Sequence, residues 1–391
     1  MPRSIRLTVA TVVLCGAIAG AQGRQDATPP DGPIFRVTVD LVQLDAVVTD
    51  KKGRHVTTLG PGDFEVYQDG RPQPVVAATY VVTEEEWVDT SGLPPLPPEA
   101  LRPIDARRVV AIVVDDSRMS FESMHHARVG LGEYLDRHFA AGDRAMIVTT
   151  SGGYGAVTPL TSDVETLRRR VRNLRFSLWN VQAASALEPV DTRLFNPYDL
   201  EAEFRERAFA LNAILRIQEA IKALRPLPGR KSVVLVSEGF SIGGLGMDHT
   251  FIRDALQRLV DASNRAGVVI YALDPRGLVP IGISAADAGM GPRRLAGLSR
   301  LRSAALRESQ DGLRFVASQT GGFAVVNSND LAAGMQRIMT DQRGYYLIGY
   351  QPEPGTVVTG RDEKFRRLTI TVKEKGLRVR TRAGFYARPT E

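Results

Sequence analysis

Two rhythms of apolar residues run along this chain. From Phe35 the period is two, in FRVTVDLVQLDAVVTD, KKGRHVTTL, DFEVYQDG and PQPVVAATYVV. Alternating runs separated by Lys-Gly, Pro-Gly and Asp-Gly turns predict short antiparallel strands. At Val109 the pattern changes. VVAIVV is continuously apolar and largely β-branched, which predicts a strand buried on both faces, as in a parallel sheet. Helical periodicity follows over 121–140, where Met124, Ala127, Leu131, Leu135 and Phe139 share a face. Further strands are expected at 144–150, 231–237, 268–273 and 323–326, with a short edge strand at 156–160. Helices are expected at 163–174, 200–224, 251–266, 302–320 and 330–341. This alternation predicts an α/β fold with a doubly wound, mostly parallel sheet.

Period two returns in RGYYLIGYQP, KFRRLTITV and LRVRTRAGFY. The strands at either end of the chain are too few to be stable alone. They are therefore expected to pair into one antiparallel β-sandwich, N-terminal half 34–83 and C-terminal half 343–388, around an α/β domain at 106–342. The acidic, then Pro-rich stretch 84–105 reads as a stiff connector.

The first residues carry an address. Arg3 and Arg6 precede an apolar segment that ends in Ala19-Gly20-Ala21, the pattern of a secretory signal peptide over 1–21. That segment is short of the ~20 residues a membrane span needs. A polar linker at 22–33 follows. The expected location is secreted or periplasmic, with no membrane span after cleavage. Cys15 is the only cysteine and lies inside the signal, so thiolate chemistry and disulfides are excluded from the mature chain. The formal charge of +6 falls to +4 without Arg3 and Arg6. Part of that excess is RRRVRNLR, whose Leu167, Val171 and Leu174 mark an amphipathic helix with its arginines in water, so no nucleic-acid partner is expected.

The candidate chemistry lies where the first buried strand ends. Asp115, Asp116, Ser117 and Ser120 follow VVAIVV directly, at the carboxyl edge where open α/β sheets bind ligands. Such oxygen donors suit a hard cation like Mg²⁺. Enzyme signatures are weak. No dinucleotide phosphate loop follows the first strand, and no H-E-x-x-H is present. Gly229-Arg230-Lys231-Ser232 precedes a strand instead of following one, unlike a Walker A loop. His125 and His126 are adjacent on a helix and point to different sides, so they read as surface residues. Asp274, followed by Pro275, reads as a turn residue.

Taken together, DDSRMSFES, GRKSVVLVSEGF, VIYALDPRGL, ASQTGG and GYYLIGY resemble the von Willebrand factor A-related family of secreted bacterial proteins of the acidobacterial type. The resemblance implies a von Willebrand A-like sheet with a metal-ion-dependent adhesion site, at which a protein ligand's carboxylate completes a Mg²⁺ shell. Matched residue by residue, Asp115 takes the Asp position of D-x-S-x-S and Ser117 the first Ser. Met119 stands at the second Ser, where a thioether is a poor Mg²⁺ ligand, and Ser120 comes one residue late. The second-loop Thr would fall to Ser177 or Asn180. Glu238 replaces the Asp after the later strand. The implied metal ligands are thus Asp115, Ser117, Ser120 and Glu238. In a decayed site, Asp115 and Ser117 would instead cap a helix or bond within the loop.

The expectation is a secreted binding, adhesion or scaffold protein and not an enzyme. It would act on a protein ligand through the loops 115–120, 176–199, 238–247 and 278–300, the last ordering on contact. The alternative is a metal-dependent hydrolase using Asp115, Asp116 and Glu238.

Overall fold

The computed structural model describes residues 42–83, 108–140, 142–152, 156–176, 200–227, 230–242, 250–279, 292–352 and 365–386. The expected signal, linker and Pro-rich connector lie outside the described residues.

The described residues begin with antiparallel strands β1 (Val42–Thr49), β2 (Phe64–Gln68), β3 (Arg71–Gln73) and β4 (Val75–Val82). The chain then alternates through β5 (Val109–Val114), α1 (Phe121–Arg137), β6 (Arg144–Thr149), α2 (Val164–Arg172), α3 (Leu200–Leu224) and β7 (Lys231–Val236). The alternation continues with α4 (Thr250–Ala266), β8 (Val268–Leu273), α5 (Pro292–Gln319), β9 (Ala324–Val325) and α6 (Leu331–Asp341). Strands β10 (Gly344–Tyr350), β11 (Phe365–Val372), β12 (Arg378–Thr381) and β13 (Gly384–Tyr386) follow.

The five-stranded sheet has the order β6-β5-β7-β8-β9, and every pairing in it is parallel. Every residue of β5 is buried, as an apolar run without alternation requires. Alternate residues feed two cores. Val109, Ala111 and Val113 pack with Ile217 of α3, Leu256 of α4 and Leu313 of α5. Val110, Ile112 and Val114 face Leu131 of α1, Leu167 of α2 and Ile338 of α6. Helices thus cover both faces. Outside β6, isolated antiparallel bridges Ala145–Thr161 and Val148–Val157 stand where an edge strand was expected. From β5 the chain winds to β6 on one side and then crosses to β7 on the other. Strand order therefore reverses between β5 and β7, and their carboxyl ends flank the crevice in which such folds place ligands.

The terminal strands interleave. One four-stranded sheet has the order β12-β1-β10-β4 and the other β13-β11-β2-β3. In each, strands from the two ends of the chain pair antiparallel, β1 with β10 and β2 with β11. Leu44, Ala46, Tyr346 and Ile348 of the first sheet share a core with Phe64, Val66, Leu368 and Ile370 of the second. The sandwich meets the α/β layers at helix C-termini, through an Arg380–Asp341 ion pair, a bond from Arg382 to the Asn264 carbonyl and one from the Ala383 N–H to the Gln319 carbonyl. In a parallel αβ sheet those termini lie at the amino edge, opposite Asp115.

One expectation is corrected. Helix α5 begins at Pro292, so the second part of the loop expected at 278–300 is helical. Proline is accommodated in a helix's first turn, and RRLAGLSRL supplies good helix formers despite Gly297. Residues 280–291 lie outside the described residues. Among those described, no helix is long and apolar enough to cross a membrane.

Candidate functional site at the carboxyl edge

Asp115 extends the β5 ladder by one residue, its N–H donating to the Val236 carbonyl at 2.9 Å. Its side chain is completely buried. Oδ1 accepts from the Thr150 hydroxyl at 2.9 Å and from Ser117 at 3.2 Å, while Oδ2 accepts from Ser237 at 2.8 Å. Thr150 follows β6 and Ser237 follows β7, so hydroxyls from both neighbouring strands converge on the carboxylate between them. Burial pushes the Asp115 carboxyl above its ordinary range; Arg118 and the Ser237 and Thr150 hydroxyls oppose that rise. Asp116 accepts from the Ser151 N–H at 2.8 Å and the Ser151 hydroxyl at 2.6 Å, and its Oδ1 lies 3.3 Å from the Thr150 hydroxyl that also serves Asp115.

The next turn of the loop has three separate jobs. Ser120 is the N-cap of α1, its hydroxyl accepting from the Ser123 N–H at 3.2 Å. Met119 is fully buried in the core beneath α1. Arg118 reaches across the crevice: Nη1 donates to the Gly239 carbonyl at 2.8 Å and lies 4.0 Å from Asp115 Oδ2, and the guanidinium sits 5.2 Å from the Phe240 ring centroid. Gly239 has φ +99°, and a Cβ there would meet the Ser309 carbonyl at 2.1 Å. Only glycine lets the β7 loop lie this close to α5 and present its carbonyl to Arg118. Glu238 stands beside it and accepts the Ser120 N–H at 2.7 Å.

The sequence-derived residues therefore share one rim. Asp115 bonds Ser117, Glu238 bonds Ser120 through the main chain, and Arg118 spans the two loops. Ser177 and Asn180 lie outside the described residues, and the threonine on Asp115 is Thr150. Sequence reasoning missed Thr150, Ser237 and Arg118. Their only signal was position, each lying within a few residues of the end of a buried strand.

These residues do not fit the Mg²⁺ site that the resemblance implies. Mg²⁺ demands a near-octahedral shell of oxygens. Here the Ser120 hydroxyl is committed to a helix cap, Met119 points into the core, and a guanidinium lies beside the central carboxylate. Among the described residues, no three His, Cys, Asp or Glu side chains are grouped to hold a metal ion.

Two further polar groups of the rim, Asp274 and Ser241, have partners within the protein. Asp274 is buried at the end of β8. It accepts the Arg276 N–H at 3.1 Å and the Arg276 guanidinium at 2.9 and 2.8 Å, the turn its sequence predicts. Gly239-Phe240-Ser241-Ile242-Gly243 matches the G-x-S-x-G pattern of hydrolase nucleophiles. Its Ser241 hydroxyl donates to Glu308 at 2.6 Å. His126 Nδ1 meets the Pro275 carbonyl at 3.2 Å, which brings the β8 turn against α1. Two large apolar side chains of these segments are exposed: Phe121 at 56%, at the start of α1 with its ring centroid 6.2 Å from that of Phe176, and Leu278 at 64%, after β8.

No family model and no curated protein matches this chain. Among solved structures, an aerotolerance-related membrane protein from Bacteroides fragilis, carrying multiple mutations to serines, is 15% identical with a TM-score of 0.33. It covers 59% of this chain and 98% of its own. BatB, a conserved hypothetical protein from Bacteroides thetaiotaomicron, is 15% identical with a TM-score of 0.31, covering 60% and 97%. An uncharacterized membrane spanning protein from Vibrio fischeri is 17% identical with a TM-score of 0.17, covering 59% and 97%. At such scores these likenesses add nothing to the architecture described above.

Proposed function

We propose that this chain is an exported binding protein. Its von Willebrand A-like domain engages a protein partner through the carboxyl-edge rim, while the sandwich supports the opposite edge. The strand order supports the domain assignment: an antiparallel edge segment, then β6, β5, β7, β8 and β9, with the reversal at Asp115. The observation that carries the binding reading is a hydrogen-bonded polar crevice at the carboxyl edge together with two exposed apolar side chains on the segments that follow its strands, Phe121 at the start of α1 and Leu278 after β8. Apolar side chains held in water beside fixed polar groups are the makings of an interface core with its rim. The Asp115 hydrogen bonds and the Arg118 contacts tie the β5, β6 and β7 loops of the crevice together, which lowers the ordering cost of association there.

The test is recovery of partners from envelope extract by the mature protein, compared with Phe121→Ser and Leu278→Ser. The reading expects a species held by wild type and lost from both variants at unchanged thermal stability. Equal recovery by all three contradicts it. So does Mg²⁺- or Mn²⁺-dependent phosphatase, esterase or protease turnover that disappears in Asp115→Ala, which would make the site a hydrolase.

A further inference from the structure

The crevice at the strand-order reversal carries its own cation. Asp115 is fully buried, and a carboxylate there needs charge compensation in addition to hydroxyl donors. The hydroxyls of Ser117, Thr150 and Ser237 bring dipoles but no charge. The charge comes from Arg118, 4.0 Å from Asp115 Oδ2. Two further contacts fix it, the hydrogen bond to the Gly239 carbonyl and the Phe240 ring beneath, and its side chain is only 11% exposed. The guanidinium thus stands between the β5 and β7 loops, near the Asp115 carboxylate and bonded to the backbone carbonyl of Gly239 beside Glu238. A divalent ion linking those loops would need the same space.

We propose that Arg118 takes the place of the divalent cation, so that the rim is a guanidinium-latched site that engages its partner without metal. The inference rests on the rim being the binding site. Three features of the loop agree with it. Met119 has left the ligand set for the core, the Ser120 hydroxyl caps α1, and Glu238 accepts a main-chain N–H, so these three supply no ligand. The oxygens a cation could reach once the guanidinium is removed are those of Asp115, Ser117 and Thr150, which bond one another. A guanidinium is permanently charged and immune to chelators. It also repels a second cation at close range. Binding at this rim is therefore insensitive to calcium, magnesium and chelator, whereas a metal-bridged site would switch with them.

The test is thermal unfolding of the mature protein in EDTA and in about 5 mM MnCl₂, where a ligand of the folded state raises the melting temperature. Wild type is expected to melt at the same temperature in both. Arg118→Gln keeps an amide donor for the Gly239 carbonyl but removes the charge, and it is expected to gain a Mn²⁺-dependent rise of a few degrees. Arg118→Lys keeps the charge and stays indifferent to metal. If Arg118→Gln folds only with Mn²⁺, that is the same gain in stronger form. Stabilisation of wild type by Mn²⁺ overturns the proposal, as does an Arg118→Gln protein that Mn²⁺ neither stabilises nor restores. No arm requires the partner, so these outcomes are separate from failure of the binding reading, which is scored by the loss of partner in Phe121→Ser.

Discussion

The Ser120 main-chain N–H donates to Glu238 Oε1 at 2.7 Å, joining two loops 118 residues apart in the chain. The bond makes the rim a single unit: the residue that starts α1 is held by the residue that ends β7. Net contributions of hydrogen bonds to charged acceptors run at about 1.5–3 kcal/mol, and partial solvent access at Glu238 places this one at the low end. Glu238→Ala is expected to lower unfolding free energy by about 1–2 kcal/mol. It should also speed amide exchange at Ser120 more than in the middle of α1. Glu238→Gln, which keeps a carbonyl acceptor, should lose less. Urea titration with hydrogen exchange reads both.

Asp115 gives a pH signature. Burial holds its carboxyl above the ordinary 3.8, so the folded protein keeps this proton to higher pH than the unfolded chain does. The stability the group contributes is fully present below pH 3.8 and is lost as pH rises through the folded value. Asp115→Asn removes that slope. Denaturant unfolding of both proteins from pH 3.5 upward should show the difference between them changing with acidity and levelling off above the folded value. Parallel curves would mean the carboxyl is not buried as described.

His55 works in the opposite sense. Its Nδ1 meets the Tyr80 hydroxyl at 2.9 Å, and burial, with repulsion from Arg230, Arg380 and Arg343, holds its pKa below the ordinary 6.5. The neutral ring contributes stability that is present above pH 6.5 and is lost as pH falls through the lower folded value. His55→Gln should flatten that part of the profile. The imidazole proton followed by NMR should titrate below 6.5 in the folded state.

Much of this architecture is legible in the sequence, and the reasons are particular. VVAIVV has no polar residue to turn toward water, so it forms β5 with every position buried. LVQLDAVV and GYYLIGY each alternate, and each lacks the partners to cover one face. Their pairing as β1 and β10 follows from that shared need. The start of α5 was not legible, because Gly and Ala upstream of Pro292 read as loop while arginines and leucines after it carry the helix. At the rim, Asp115 and Ser117 were visible because they follow the apolar run directly. Thr150 and Ser237 were not, since a hydroxyl at a strand end is common and only the parallel register brings these two to one carboxylate. Arg118 was hidden for a different reason. An arginine in a polar loop normally faces solvent, and only the glycine-permitted approach of the β7 loop gives it a carbonyl and a ring to lie against.

The proposed binding face is tested most directly by photo-crosslinking with a benzoylphenylalanine placed at Phe121, at Leu278 and, on the sandwich, at Val76, all three exposed. With the protein illuminated in envelope extract in the presence of EDTA, the account predicts a common adduct from the Phe121 and Leu278 positions and none from Val76. Adducts from Val76 alone, or rim adducts that appear only when a divalent cation replaces the chelator, would contradict it.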